Sequence, residues 1–436
     1  MKEQKTTYHW LIVAACFMLM AVTVGILVNC FAALGPALGA HFTGGGSVQL
    51  VFTIAVLSNL IGGALAGKIY ANRPMQKVMP IFAIMLSAGI FGWSQFWTTS
   101  PSLGLMYVCS VAVGIGASFL SIVPMSIVIN NWFQEKKGLA MGIYSAGSVV
   151  AGLVLVPIVN SIVTPGSNFY LGFGPTQTWQ QAYILLGIVA AVVSIPTTLF
   201  IIRGTPQEKG LLPYGASAEK TDSGGEEAKG ISLKKFLKTP SFLLLALSAF
   251  LIGFVNLGIQ NHIVIYLENV AKISQAALVF SLGMGSMIIA KYILGLIYDK
   301  KGILAGQIFC LACGLLTIAL MIIVGATQSM AIAYVFGVSY GLVGAMTTVT
   351  PPYVTAKIVG VREYPMIFGI LSLTYGLGVA VGPMVIEGVM STDGVYNADP
   401  GAWIPILIGF MVVAVIMACT TVFAYRKGEG FSEETD

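Results

Sequence analysis

Charge is what this chain has least of. Only 9% of its 436 residues are Asp, Glu, Lys or Arg, against about 25% in a soluble domain. With 57% hydrophobic residues, that balance excludes a water-soluble globular protein. Histidine is scarce, at three, and His, Cys, Asp and Glu nowhere cluster at ligand spacing, so neither a metal nor another cofactor is expected. No Walker sequence and no plausible catalytic dyad occurs, which speaks against ATP-driven transport and against enzymatic chemistry. Gly376-Leu-Gly378-Val-Ala-Val-Gly382 imitates a nucleotide loop, but it lies in an apolar stretch with no strand before it, and close helix packing explains it. The six cysteines (Cys16, Cys30, Cys109, Cys310, Cys313 and Cys419) all fall in apolar stretches. Cys310-Leu-Ala-Cys313 has no second pair and no nearby His, so it reads as small apolar filler. No small-residue cleavage site follows Trp10–Phe31, which therefore reads as a first membrane helix and not as a signal peptide.

What is present comes in apolar blocks of roughly 20 residues, the length of a membrane-crossing helix. Twelve such spans are expected, near 10–34, 48–70, 78–98, 104–131, 138–162, 180–202, 240–266, 276–297, 304–325, 329–353, 364–389 and 402–424. The fold class is an all-α polytopic membrane protein. Between the sixth and seventh spans lies Arg203–Lys238, a polar stretch with Ser-Gly-Gly-Glu-Glu at 223–227. It reads as a mobile linker over 204–238 between two six-helix bundles, 1–203 and 239–436.

The cations set the orientation. Of 22 Lys and Arg, 20 fall on one side, including Lys2, Lys5, Lys68, Arg73, Lys136, Lys357, Arg362 and Arg426. The opposite loops hold His41, Glu268, Lys272, Asp393 and Asp399. The positive-inside rule then puts both termini in the cytoplasm of a multi-pass protein of the plasma (inner) membrane. The net charge of +5 sits where topology wants it and implies no nucleic acid partner; the partners expected are the bilayer and a solute, with the chain a monomer. The halves also repeat. Gly67-Lys-Ile-Tyr-Ala-Asn-Arg73 matches Gly295-Leu-Ile-Tyr-Asp299-Lys300-Lys301-Gly302 at an offset of 228, and Gly142-Ile-Tyr-Ser145 matches Gly369-Ile-Leu-Ser372 at 227. Such parallel repeats pack around a site near the midplane.

The remaining cation is Lys291, the only charge in Ala276–Ile297. A cation at bilayer depth costs about 2.5–3.5 kcal/mol on insertion scales and marks a substrate or ion path, so the first expectation for the cargo is an anion. The competing reading is a lysine that snorkels to the surface. Asp299 lies eight residues on, about 12 Å along the helix, which exceeds the reach of a lysine stem.

Gly295-x-x-x-Asp299-Lys300-x-Gly302 resembles the signature loop of the major facilitator superfamily. Its first copy departs from the pattern, with Ala71 where the acid is expected. Asn131-Trp-Phe-Gln-Glu-Lys-Lys-Gly-Leu-Ala-Met-Gly-Ile-Tyr-Ser-Ala-Gly147 resembles the loop four–five and helix-five signature of the oxalate:formate antiporter and monocarboxylate transporter branch. Lys238-Thr-Pro-Ser-Phe242 and a basic residue four positions before Gly295 agree. The resemblance implies the major facilitator fold, a carboxylate-binding role for Lys291, and a conformational latch at Gly295, Asp299, Lys300 and Gly302. Two departures narrow it. Tyr375 stands where oxalate exchangers carry a second cation, and Met287 stands where proton-coupled carriers have an acid. One fixed charge suits a monoanion better than a dianion, and the branch more often has Arg where this chain has Lys, a point charge without the bidentate fork.

Other polar residues within spans are weaker candidates. Asn29, Ser118, Ser121, Tyr144, Asn256, Gln260, Tyr340 and Tyr375 can share substrate bonds, with ordinary interhelical hydrogen bonding as the alternative. Tyr292 neighbours Lys291 and is expected to face another way. His262 and Glu387 are candidates for proton coupling; the alternatives are a satisfied histidine near the mouth and an interfacial acid. The expectation is a secondary carrier of a small, monocarboxylate-like organic anion, working by exchange against a counter-anion or by symport with H⁺. Its rivals are a carrier of larger amphipathic anions and a non-transporting sensor, which an appended signalling domain would favour; the tail after Arg426 carries none.

Overall fold

The computed structural model describes residues 6–42, 48–164, 166–175, 177–216, 229–392 and 395–433. Lys2, Lys5, Asp393 and the 217–228 part of the polar stretch lie outside the described residues. Within them, eleven helices are long and apolar enough to cross a membrane. One of these, Ala276–Thr327, is 52 residues long, far more than a crossing requires. It breaks at Gly302, where φ is 78° and ψ is −177°, a conformation that glycine alone adopts at low cost. That helix therefore supplies two crossings, and the described residues supply the twelve expected from the apolar blocks. Among the described residues the only strands are two residues each, Ser391–Thr392 and Val395–Tyr396, paired antiparallel. Large apolar side chains such as Ile81, Val108, Phe200, Leu243 and Met384 are more than half exposed, as lipid-facing positions are in a multi-pass membrane protein.

Helix starts follow local chemistry. Thr239 precedes Pro240 and accepts the Phe242 N–H at 3.3 Å. Asp399 precedes Pro400 and accepts the Gly401 N–H at 2.9 Å. In both, proline takes the first helical position, where its missing N–H costs nothing. The first crossing changes winding: Thr6–Met20 is α-helical, and Ala21–Cys30 is π-helical.

The chain divides into two compact units, one of residues 1–134 and 143–216, the other of 135–142 and 217–436. In the first, the part of the polar stretch that follows the sixth span is fastened to its own unit. Tyr214 N–H donates to the Trp132 carbonyl at 2.8 Å, and Gln134 N–H to the Tyr214 carbonyl at 3.0 Å. The Tyr214 ring stacks on Phe133 at 5.5 Å, with His9 and Trp10 edge-on at 5.8 and 6.0 Å. Trp132 Nε1 donates to the Arg203 carbonyl at 2.8 Å.

The second unit repeats the device at the other end of the stretch. Gly230 pairs with Gly360, and the N–H groups of Val361 and Arg362 donate to the Lys229 carbonyl at 3.0 and 3.2 Å. Leu233 N–H donates to Glu363 Oε2 at 2.6 Å, while Ile231 and Phe236 are fully buried. Phe133 and Gly360 stand at the same 227-residue offset as Gly142 and Gly369. Also in this unit, a Cβ on Gly378 or Gly382 would overlap the Phe250 or Phe254 carbonyl. The glycine run is a helix seam, as small residues are where helices approach closely in a membrane.

Candidate functional site

Lys291 is 1% exposed, whereas its neighbour Tyr292 is 47% exposed. The two point to different faces of one helix, and the cation takes the inner one. Lys291, Gly295 and Asp299 recur at i, i+4 and i+8, which places them on a single stripe. Within the second unit this stripe meets residues 137–142, the first turns of helix Lys137–Val163. A Cβ on Gly142 would overlap the Lys291 carbonyl, and one on Gly295 would overlap the Gly138 carbonyl. The two backbones touch because neither glycine carries a side chain.

That approach brings Asp299 to a helix start. Its Oδ1 accepts the Gly138 N–H at 2.7 Å and its Oδ2 the Leu139 N–H at 2.8 Å. Both donors belong to the first turn, where no intrahelical carbonyl is available. A carboxylate there gains charge-assisted bonds and the favourable end of the helix dipole. Lys300 and Lys301 are exposed, and Gly302 makes the turn that follows.

Five residues behind this contact were not among the sequence candidates. Tyr298 is buried; its hydroxyl bonds Thr350 Oγ1 at 2.7 Å and accepts from Gln307 Nε2 at 2.9 Å. Tyr353 donates its hydroxyl proton to the Tyr298 carbonyl at 3.0 Å, and the two rings stack at 4.7 Å. Lys357 Nζ stands 5.8 Å from the Tyr353 ring centre. One signal was available: Thr347-Thr-Val-Thr-Pro-Pro-Tyr353 is an unusually polar run for a membrane span.

The other candidates of this unit lie elsewhere. Asn256 and Tyr340 line one cavity of about 30 Å³, together with Ile252, Thr317, Met346 and Met417. Tyr340 is 2% exposed, and its hydroxyl has no partner among the described residues. The cavity has room for about one water. Lys291 does not line it. Tyr375 and Gln260 are half-buried, and the Tyr375 carbonyl faces Gly253. His262 is buried, with Nδ1 2.7 Å from the Gly258 carbonyl. Glu387 is exposed.

In the first unit, Asn29 lies in the π-helical turns and donates from Nδ2 to the Ser148 carbonyl at 3.0 Å. Ser118 bonds back to the Ile115 carbonyl at 2.6 Å, and Ser121 reaches the Ser118 carbonyl at 3.5 Å, at the break between helices Leu103–Ser118 and Ile122–Trp132. Tyr144 is fully buried.

The family model of the Major Facilitator Superfamily matches residues 11–383. Human Monocarboxylate transporter 12 is 22% identical over 415 residues, spanning 90% of this chain and 77% of that protein. A solved structure of the proton:xylose symporter XylE, bound to 6-bromo-6-deoxy-D-glucose, superposes with a TM-score of 0.71 at 14% identity and covers 98% of both chains. The human organic anion transporter MFSD10 (TETRAN) superposes with a TM-score of 0.64 at 14% identity, over 97% of this chain and 99% of that one. At these identities the solved structures establish the fold.

Proposed function

This chain belongs to the Major Facilitator Superfamily, and we propose that it is a secondary carrier of a small, monocarboxylate-like organic anion that works by alternating access. The observation that carries the reading is Lys291, buried to 1% exposure as the only charge of residues 276–297. A cation held there costs about 2.5–3.5 kcal/mol on insertion scales, and a residue kept at that cost marks a substrate or ion path. Its ammonium draws the substrate carboxylate, and hydroxyl and amide groups share the remaining acceptor positions. The similarity to Monocarboxylate transporter 12 supports the same class. With Met287 and Tyr375 at the two departing positions, one fixed charge selects monoanions over dianions.

Asp299 on the Gly138 and Leu139 amides is the gate of this carrier. Making and breaking those two bonds distinguishes its states. The chain sits as a monomer in the plasma (inner) membrane, with both termini cytoplasmic. Coupling is to a counter-anion, or to H⁺ carried by His262, Glu387 or Lys291 itself.

The test is uptake of labelled monocarboxylates into proteoliposomes, with and without internal anion and with and without a pH gradient. Uptake that needs internal anion and ignores pH assigns exchange, and uptake driven by the gradient alone assigns symport. Uptake by Lys291→Ala equal to that of the native chain overturns the anion-site reading.

A further inference from the structure

We propose that Tyr353 is a positioning residue that holds Asp299 against the start of helix Lys137–Val163, through a buried chain of bonds from Gln307 and Thr350. The inference rests on the reading of Asp299 as the gate and assigns the part that aims it.

Asp299 is three residues before the end of regular helix at Gly302, where a chain end frays unless something fixes it. Its two acceptor bonds, at 2.7 and 2.8 Å, require both carboxylate oxygens to face two successive amides at once. Rotation of the residue by one position along the helix would turn the carboxylate away. The preceding residue prevents this at both of its ends. The Tyr298 hydroxyl is held by Thr350 and Gln307, and its carbonyl accepts the Tyr353 hydroxyl at 3.0 Å. The Tyr298 carbonyl is near the helix terminus, so a side-chain donor there supplies what the missing next turn does not.

Tyr353 also lies against the other partner. A Cβ on Gly138 would stand 3.1 Å from Tyr353 Cε2 and 2.9 Å from Asp299 Oδ1. One ring thus touches the segment that gives the amides and bonds the segment that gives the carboxylate. Tyr298, Tyr353, Thr350 and Gln307 are each no more than 2% exposed, so water does not substitute for a lost member. A tyrosine used only as filler would need the ring and not the hydroxyl.

Hydrogen–deuterium exchange of the full-length protein in lipid nanodiscs reads the contact without a substrate. The Gly138 and Leu139 amides are first-turn donors, so their protection reports Asp299 directly. Asp299→Asn should speed exchange in the 135–142 peptide by about tenfold or more, the value of bonds to a charged acceptor. Tyr353→Phe keeps the ring and removes one neutral bond, and should speed the same peptide by about two- to tenfold. Thr350→Val should act in the same direction. Peptides from helix Pro400–Lys427 should be unchanged in all three, which separates loss of aim from loss of fold. In the Asp299→Asn background, Tyr353→Phe should add nothing.

Unchanged exchange in Tyr353→Phe and Thr350→Val, with Asp299→Asn fast, overturns the positioning role and leaves the gate contact standing. Full additivity of Tyr353→Phe and Asp299→Asn overturns it as well. Unchanged exchange in Asp299→Asn removes the gate contact itself, and the present inference with it.

Discussion

Replacing Lys291 with Met separates charge from volume. Methionine keeps an unbranched stem, so the packing of the helix against Gly142 survives, while the ammonium is lost. Lys291 is 1% exposed, so a carboxylate bonded there is shielded from water. A hydrogen bond to a charged group contributes about 1.5–3 kcal/mol, and each 1.4 kcal/mol is a factor of about ten. Lys291→Met should therefore raise the KM for a monocarboxylate about 10- to 100-fold. Lys291→Arg keeps the charge but carries a larger planar head, and should retain more uptake than Met while shifting selectivity toward substrates that accept two parallel bonds. The assay is initial-rate uptake into proteoliposomes across a concentration series, with the apparent melting temperature of each variant as a control for folding. An unchanged KM in a well-folded Lys291→Met protein refutes the reasoning.

Three further outcomes follow from geometry alone. Gly302→Ala forces a side chain into φ 78°, ψ −177°, at about 1–3 kcal/mol, so the apparent melting temperature should fall; Gly302→Asn should not restore it, because that ψ lies outside the left-handed helical region asparagine tolerates. Gly382→Leu would drive a side chain into the Phe254 backbone and should cost about 1–3 kcal/mol, measured as lower thermal stability in detergent. Tyr214→Ala removes the ring stacked on Phe133 and should cost about 1–3 kcal/mol, with faster proteolysis within 206–216 as the local readout.

Much of the architecture was legible because a bilayer leaves few choices. Apolar run length locates the crossings, and the offsets of 227 and 228 are the sequence's own sign of a repeat. Asp299 drew notice through the resemblance of Gly295-x-x-x-Asp299-Lys300-x-Gly302 to a family signature loop. The Tyr298–Tyr353 pair was not legible, because residues 298, 307, 350 and 353 meet through the tertiary fold and no local spacing relates them. The fastened ends of the polar stretch were hidden too. Polar composition averages over Tyr214, Ile231 and Phe236, and these few apolar residues decide where the chain sticks. The cavity beside Tyr340 had no sequence signal, since its wall comes from four helices.

The two stitches at Tyr214 and Gly230 bear on how this protein can be engineered. Each joins the polar stretch to a loop of its own unit through backbone bonds, at Trp132 and Gln134 in one case and at Val361 and Arg362 in the other. A reporter domain inserted between 217 and 228 leaves both stitches closed, whereas the same insertion ten residues to either side opens one. Insertions are better tolerated where backbone bonds such as these two stay closed. By the same logic, two separately expressed fragments divided between 217 and 228 would each keep their own stitch, while residues 135–142 of the second unit would stay with the first fragment and the second would have to recover them from its partner.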